Sequence, residues 1–525
     1  MTDFSKPNGS IWMPTRRDVL RAGAIGVVVA AVMGRAQTAL ADEPKKGGTL
    51  RMGLEGGSAS DSYDPTTYND SVMLTLALMV MNGVIEYDEA GLPQGELFES
   101  WEAKPGAKEW VFNVRQGITF SNGKTLDADD IIYSIQLHRT EQSKSAAKGQ
   151  LAGLEEIKAL SPKQVYMRLS EGNADLPVIL GDYHIVVVPN GHTDWEKPIG
   201  TGAYVLESFE PGVRATFKAR GDYWKPGRGN FEAVDMRYIS DPAARLAALQ
   251  SGEIDVANRI DPRTAKLLMR TPNLQIIQTK GTGFRYSFVA RVTDKPTDNL
   301  DLRMALKYGI DREQICKTVY SGFATPGNDH LLDARDPYFN TDMPQMAFDP
   351  DKAAFHWKKA GLGPNDTIEL KVSEGAWTTS TDCAQVYQQN LLQSGINLAV
   401  TKVAADGYWS DTWLKNPFCA AFWARRMSAD QTFSTAFGGK SDYNDCNWRS
   451  PELDALLSQA RVELDPAARK VIYDECQVMI SGEAGHIHFA TSDFLDGYSA
   501  RVQGVKTHPR FDMDDCRVAE KAWFA

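Results

Sequence analysis

Apolar and polar positions along this chain repeat with two periods, two residues in some stretches and three to four in others, and the switches between them predict an α/β protein. Behind Gly47-Gly48, the run Leu50, Met52, Leu54 reads as a strand, followed by a Gly/Ser/Asp loop over 55–65. Residues 71–84 are apolar on every side, which suits a buried helix. Trp110-Val111-Phe112-Asn113-Val114 alternates as a half-buried strand should and leads into the turn Ser121-Asn122-Gly123-Lys124. Asp127 then caps a helix through Tyr133, with Asp129 and Asp130 in the first turn where the helix dipole favours acid.

Strands are expected at 165–169 and 184–188, and Gly200-Thr201-Gly202-Ala203-Tyr204 opens another strand pair. Asp241 caps a helix that ends in Ser251-Gly252. Helical periodicity then dominates at 301–310, 312–320, 350–360, 381–393, 451–463 and 466–480, with strands at 368–372, 396–403 and 418–423. No internal repeat or low-complexity linker divides the chain, so its α/β lobes are expected to share crossing strands.

The N-terminal segment follows different rules. Arg16-Arg17 precedes a short apolar, glycine-containing run from 22 to 33, and Ala39-Leu40-Ala41 supplies a small-x-small cleavage site. These are the parts of a secretory signal, and the arginine pair resembles a twin-arginine signal, with Val19 where Phe is usual. A membrane anchor is the alternative, but the run is shorter than the ~20 residues a spanning helix needs. Cleavage after Ala41 predicts a soluble, periplasmic mature protein.

Removing residues 1–41 takes five basic and two acidic residues and moves the net charge from −11 to −14. An acidic surface without Lys/Arg runs argues against nucleic acid or anionic lipid as partner. The six cysteines are dispersed and show no C-x-x-C spacing. Cys419 and Cys446 could form a disulfide in an oxidising compartment; six free buried thiols is the alternative. There is no G-x-S-x-G elbow, H-E-x-x-H, phosphate loop or dinucleotide fingerprint, and no cofactor is expected.

Several segments together resemble the peptide/opine/nickel substrate-binding proteins of ABC importers, solute-binding family 5. Residues 114–134, from Val114-Arg115-Gln116-Gly117 through Phe120-Ser121-Asn122-Gly123 to Asp130-Ile131-Ile132-Tyr133-Ser134, follow the family's strand, F-x-[DN]-G and A-x-D-[VI]-x-Y-S pattern. Gly200-Thr201-Gly202-Ala203-Tyr204 with Tyr223-Trp224 is similar to its GTGPY … YW pair, with Ala203 replacing Pro. The stretches 249–255, 301–322 and 349–361 follow further family patterns in order. The resemblance implies a type II periplasmic-binding-protein fold of two hinged lobes plus an extra α/β domain. Lobe I would combine 42–85, 199–285 and 490–525, the extra domain would be 86–198, and lobe III 286–489. It also implies a monomer that encloses a small-molecule or short-peptide ligand, delivers it to an inner-membrane ABC permease with its ATPase subunits, and does no chemistry on it.

The candidate site centres on Trp423-Ala424-Arg425-Arg426-Met427-Ser428-Ala429-Asp430. Peptide binders of the family carry an acid shortly after the corresponding Trp; aligned on Trp423, that place falls on Arg426. A guanidinium there predicts an anionic group on the ligand. Strand alternation would turn one of Arg425 and Arg426 to the cleft, Arg426 being the choice, while the alternative is that either arginine forms a scaffold pair with Asp430 or another acid of its lobe. Trp423 and Trp377 could form aromatic walls or belong to the core, and Tyr63 could stack on the ligand or on its own lobe. Two alternatives keep other cargo or chemistry open: a metal chelate or haem, with His330, His486 or His488 involved, and a periplasmic hydrolase.

Overall fold

The computed structural model describes residues 44–68 and 70–525, organised by three main sheets. Arg16, Arg17, Ala39 and Ala41, with the rest of the expected signal, lie outside the described residues. The first sheet has seven strands in the order Leu274–Thr279, Phe494–Ser499, Val256–Ala257, Thr49–Leu54, Ala233–Tyr238, Arg214–Ala219 and Tyr204–Glu210. The second has six, in the order Ala324–Pro326, His486–Ser492, Arg285–Ala290, Phe418–Trp423, Thr367–Val372 and Asn397–Lys402. A four-stranded antiparallel sheet of Phe98–Ala103, Glu109–Val114, Gln164–Leu169 and Leu154–Ser161 forms a third unit.

The local chemistry of these elements is regular. Helices Pro242–Ser251, Pro262–Leu268, Pro350–Lys359, Pro451–Val462 and Pro466–Glu483 all begin with Pro behind an Asp or Ser whose side chain accepts a backbone N–H of the first turn. Proline loses nothing at a position whose N–H has no helical partner. Asp127 and Asp130 form a reciprocal capping box at the start of Ala128–Leu137, and Lys124 Nζ reaches Asp130 at 2.6 Å. Helix Ser71–Val80, capped by Asp70, is buried on every side from Val72 onward, as its uniform apolarity implies. In Glu109–Val114 the alternation turns Trp110, Phe112 and Val114 inward.

The stretch at 184–188 departs from expectation. It is extended, but outside the sheets its backbone makes a single bridge, Val186 to Gly83. The alternation there has another cause: Ile185 and Val187 enter the core of the four-stranded unit, while Val186 and Val188 enter that of the seven-stranded unit. Two cores flank one chain, so the period of two appears without a ladder. Close packing also explains Gly200 and Gly202, whose backbones take no left-handed turn. A Cβ would lie 2.2 Å from Val80 O at Gly200 and 2.4 Å from Met79 O at Gly202, against the end of helix Ser71–Val80.

The chain passes between the two large sheets twice, from Thr279 to Arg285 and from Ser492 to Phe494. The crossings lie side by side: Gly283 N donates to Ser492 O (2.8 Å) and Ser492 N to Phe284 O (3.0 Å). Asp493 clamps them, accepting from Gln278 Nε2 at 2.6 Å and Gly281 N at 2.8 Å. Elsewhere a buried ionic cluster joins the seven-stranded and four-stranded units. Glu96 receives Lys225 Nζ at 2.6 Å and Arg517 Nη2 at 2.8 Å, and Arg517 also holds Glu520 at 2.9 Å. Burial alone would raise the Glu520 carboxyl, but Lys225 and Arg517 hold it well below the usual range.

Candidate functional site

Where the two crossings meet the ends of the large sheets, the three units enclose a cavity of about 270 Å³. The seven-stranded unit contributes Asp70, Ser71 and Leu74 from the start of a helix, Arg259 from the loop after Val256–Ala257, and Phe494, Phe511 and Asp512. Tyr183 comes from the segment leading back out of the four-stranded unit, Phe284 from the first crossing, and Ala424, Arg425 and Met427 from the six-stranded unit.

Arg425 lines this cavity, but its charge is committed. Its Nη2 lies 2.6 Å from Asp336 Oδ1 and its Nη1 3.3 Å from Asp333 Oδ1, and Arg285 Nη2 meets the same acids at 2.8 and 3.0 Å. Burial raises the Asp336 carboxyl, against the pull of Arg425. Arg426 is exposed and makes no hydrogen bond or ion pair among the described residues, and its charge acts on Tyr183 in the cavity wall. Burial raises the Tyr183 phenol to about 12, so it is a neutral donor at physiological pH. The alternation argument does not govern this choice. The strand ends at Trp423, and both arginines lie in the irregular segment before helix Ala429–Ala436.

The other candidate residues lie elsewhere. Trp423 is in the core: its Nε1 donates to Asp445 Oδ2 (3.2 Å), and His486 Nε2 meets Asp445 Oδ1 at 2.6 Å. Trp377 packs on Tyr286 at 5.0 Å and on Phe288 and Phe489 inside the six-stranded unit. Tyr63 is fully buried against Phe209, a 5.2 Å edge contact, away from the cavity. Asp430 pairs with Arg461 at 2.9 Å rather than with either neighbouring arginine. Cys419 and Cys446 are free thiols, not a disulfide. Burial pushes them up to about 12 and about 11, with Tyr408 beside the first and Asn444 beside the second. His330 and His488 are buried, and burial depresses them, His330 to about 3. Among the described residues one group, Asp445, Cys446 and His486, has metal-ligand spacing, but Asp445 already accepts from Trp413 and Trp423, and none of the three lines the cavity.

The cavity contains residues that local sequence does not single out. Arg259 lies 3.8 Å from Glu55 and reaches Ser71 Oγ at 3.4 Å, leaving it half-exposed. Asp512 is buried, with no Lys or Arg within 4 Å among the described residues, and burial raises its carboxyl, with Arg259 opposing. It opens a left-handed turn in which Met513, Asp514, Asp515 and Cys516 all have positive φ, between 51° and 64°. Such a run of L-residues is sterically costly. It is held by Asp496 Oδ2, which accepts Met513 N at 2.8 Å, and by the Arg510 fork on Asp515 at 2.6 and 2.9 Å.

Two α/β units joined by paired crossings around a cavity, with a third unit attached, define a two-lobed solute receptor. Residues 93–445 match the family model for bacterial extracellular solute-binding proteins, family 5. The chain belongs to that family. It is 24% identical over 530 residues to the glutathione-binding protein GsiB of Pectobacterium atrosepticum, covering 97% of this chain and 100% of that one. Its fold is similar to that of HbpA2 from Haemophilus parasuis (TM-score 0.80, 19% identity, 91% and 100% of the two chains). The same holds for DppA from Helicobacter pylori in complex with the peptide STSA (TM-score 0.72, 19% identity, 91% and 98%). Members of this family serve ABC importers as substrate-binding proteins, so the chain is a binding protein and not an enzyme. No helix among the described residues is long and apolar enough to cross a membrane.

Proposed function

We propose that this protein captures a small, anionic, peptide-like or amino-acid-derived solute in the periplasm and passes it to an inner-membrane ABC permease. Export follows the twin-arginine signal with cleavage after Ala41, and the mature protein acts as a monomer. The three-part division at 42–85 with 199–285 and 490–525, 86–198, and 286–489 supplies the moving bodies, which close on the solute about the crossings at 280–284 and Asp493.

The observation that carries this reading is the charge balance of the cavity. Arg426, next in the chain to the cavity-lining Arg425 and close enough for its charge to act on Tyr183 in the cavity wall, has no ionic partner among the described residues, and half-exposed Arg259 lines the cavity from the other lobe. Asp512, in the wall of the same cavity with no Lys or Arg within 4 Å among the described residues, suits a solute that also bears an ammonium group. Glutathione, which the relative GsiB is named for binding, has two carboxylates and one ammonium and fits that balance.

The test is a thermal-shift screen of glutathione, acidic dipeptides, opines, sugar acids and amines, followed by calorimetric titration. A solute at 100 times its Kd adds about 2.7 kcal/mol of stability. Anionic, peptide-like members of the panel should raise Tm, and Arg426→Ala should weaken them about tenfold or more while leaving the free protein's Tm unchanged. Stabilisation by cationic solutes alone, untouched by Arg426→Ala, would overturn the reading.

A further inference from the structure

A second cavity, of about 500 Å³, lies between the four-stranded and six-stranded units. One wall is Trp101 and Trp110 of the sheet with Pro177 of helix Leu176–Leu180; the opposite wall includes Pro337, Leu464 and Pro466. Its polar part is buried. Arg469 Nη2 meets Asp175 Oδ1 at 2.5 Å, with the guanidinium 5.2 Å over the Tyr338 ring, yet Asp175 Oδ2 and Arg469 Nε are buried without a hydrogen-bond partner among the described residues.

This cavity adjoins the one between the lobes. Met427 lines both. The ion pair beside it spans the same partition, since Arg425 faces the interlobe cavity and Asp336 the second one. A Met side chain is unbranched and adaptable, so the partition can yield where the ion pair cannot. The interlobe cavity by itself falls just short of the about 300–1,000 Å³ common for small-molecule sites. With the second chamber the space is well within that range.

We infer that the solute occupies both chambers, and that it is a peptide-like anion carrying a bulky apolar, preferably aromatic, substituent. The charged end lies among Arg426, Arg259 and Asp512, and the apolar end passes Met427 to stack between Trp101, Trp110 and the facing prolines. Tryptophan and proline faces suit an aromatic ring. The unpartnered Asp175 and Arg469 atoms offer a hydrogen bond at the far end. This inference rests on the interlobe reading above and adds the class of the solute's tail.

Matched pairs that differ only in the tail test it: glutathione against S-benzylglutathione, and Ala-Glu against Phe-Glu, titrated by calorimetry. The aromatic member of at least one pair should bind about tenfold more tightly. Leu464→Trp and Ala103→Phe, which fill the chamber from its rim and from its sheet, should each erase that gain while leaving the small-tailed member's affinity unchanged. If the two members of each pair bind equally, or the aromatic one more weakly, the second chamber is not used, although the interlobe reading stands. If chamber-filling leaves the aromatic gain intact, the tail lies elsewhere and the inference falls. If no member of either pair binds, it falls together with the peptide-like anion.

Discussion

Arg425 and Arg426 are adjacent in sequence and opposite in their ionic contacts. Arg425 is held, with Arg285, against Asp333 and Asp336. Removing one member of such a buried network leaves an uncompensated charge, at a cost of about 3–5 kcal/mol. Arg425→Ala should therefore lower the urea midpoint strongly, whereas Arg426→Ala should leave it unchanged; equal midpoints for the two variants would contradict the assignment. No residue-by-residue reading could separate them, because the acids that claim Arg425 lie about ninety positions earlier in the chain. Trp423 and Trp377 illustrate the same limit. Trp423 ends a strand and Trp377 follows one, yet their rings turn inward, where an indole buries more surface than a cavity wall would allow.

At the scale of elements, helices and strands were largely legible. Asp-Pro and Ser-Pro starts, the Asp127/Asp130 box and the alternation of 110–114 encode their own backbone state within a few residues. The exceptions are tertiary. The stretch 184–188 alternates because it separates two cores, and the left-handed turn at 513–516 exists because buried partners hold it. Within that turn's support, burial and the neighbouring Asp512 raise the Asp496 carboxyl well above its ordinary value. The folded state therefore keeps this proton to higher pH than the unfolded chain does. Its contribution to stability is complete below the unfolded value, near 4, and is lost as pH rises through the folded value. Asp496→Asn, which can still accept Met513 N, should raise Tm at pH 7.5, with the gain shrinking toward pH 4 in a melting series. A variant less stable at every pH would show that the charge is needed.

For the whole molecule, the distribution of ionic contacts decides what moves. Lys225, Arg517, Glu96 and Glu520 weld the four-stranded unit to the seven-stranded one through a buried cluster of four charges, the pair Arg469–Asp175 ties it to the six-stranded unit, and the two large sheets are linked through short crossings. Arg517→Met should cost about 3–5 kcal/mol in urea unfolding, because Glu96 and Glu520 would be left under-compensated. A change under about 1 kcal/mol would mean that the weld is solvated.

The sequence alone determined the class of fold, the order and ends of most elements, the resemblance to family 5 and the presence of two arginines after an apolar strand, because capping, periodicity and turn chemistry act over a few residues. Tertiary structure alone decided which arginine is spoken for, which aromatics reach a cavity, that the six thiols stay apart, and that a second chamber lies beyond Met427. Those outcomes depend on burial and on partners drawn from distant parts of the chain, and neither is encoded in local spacing.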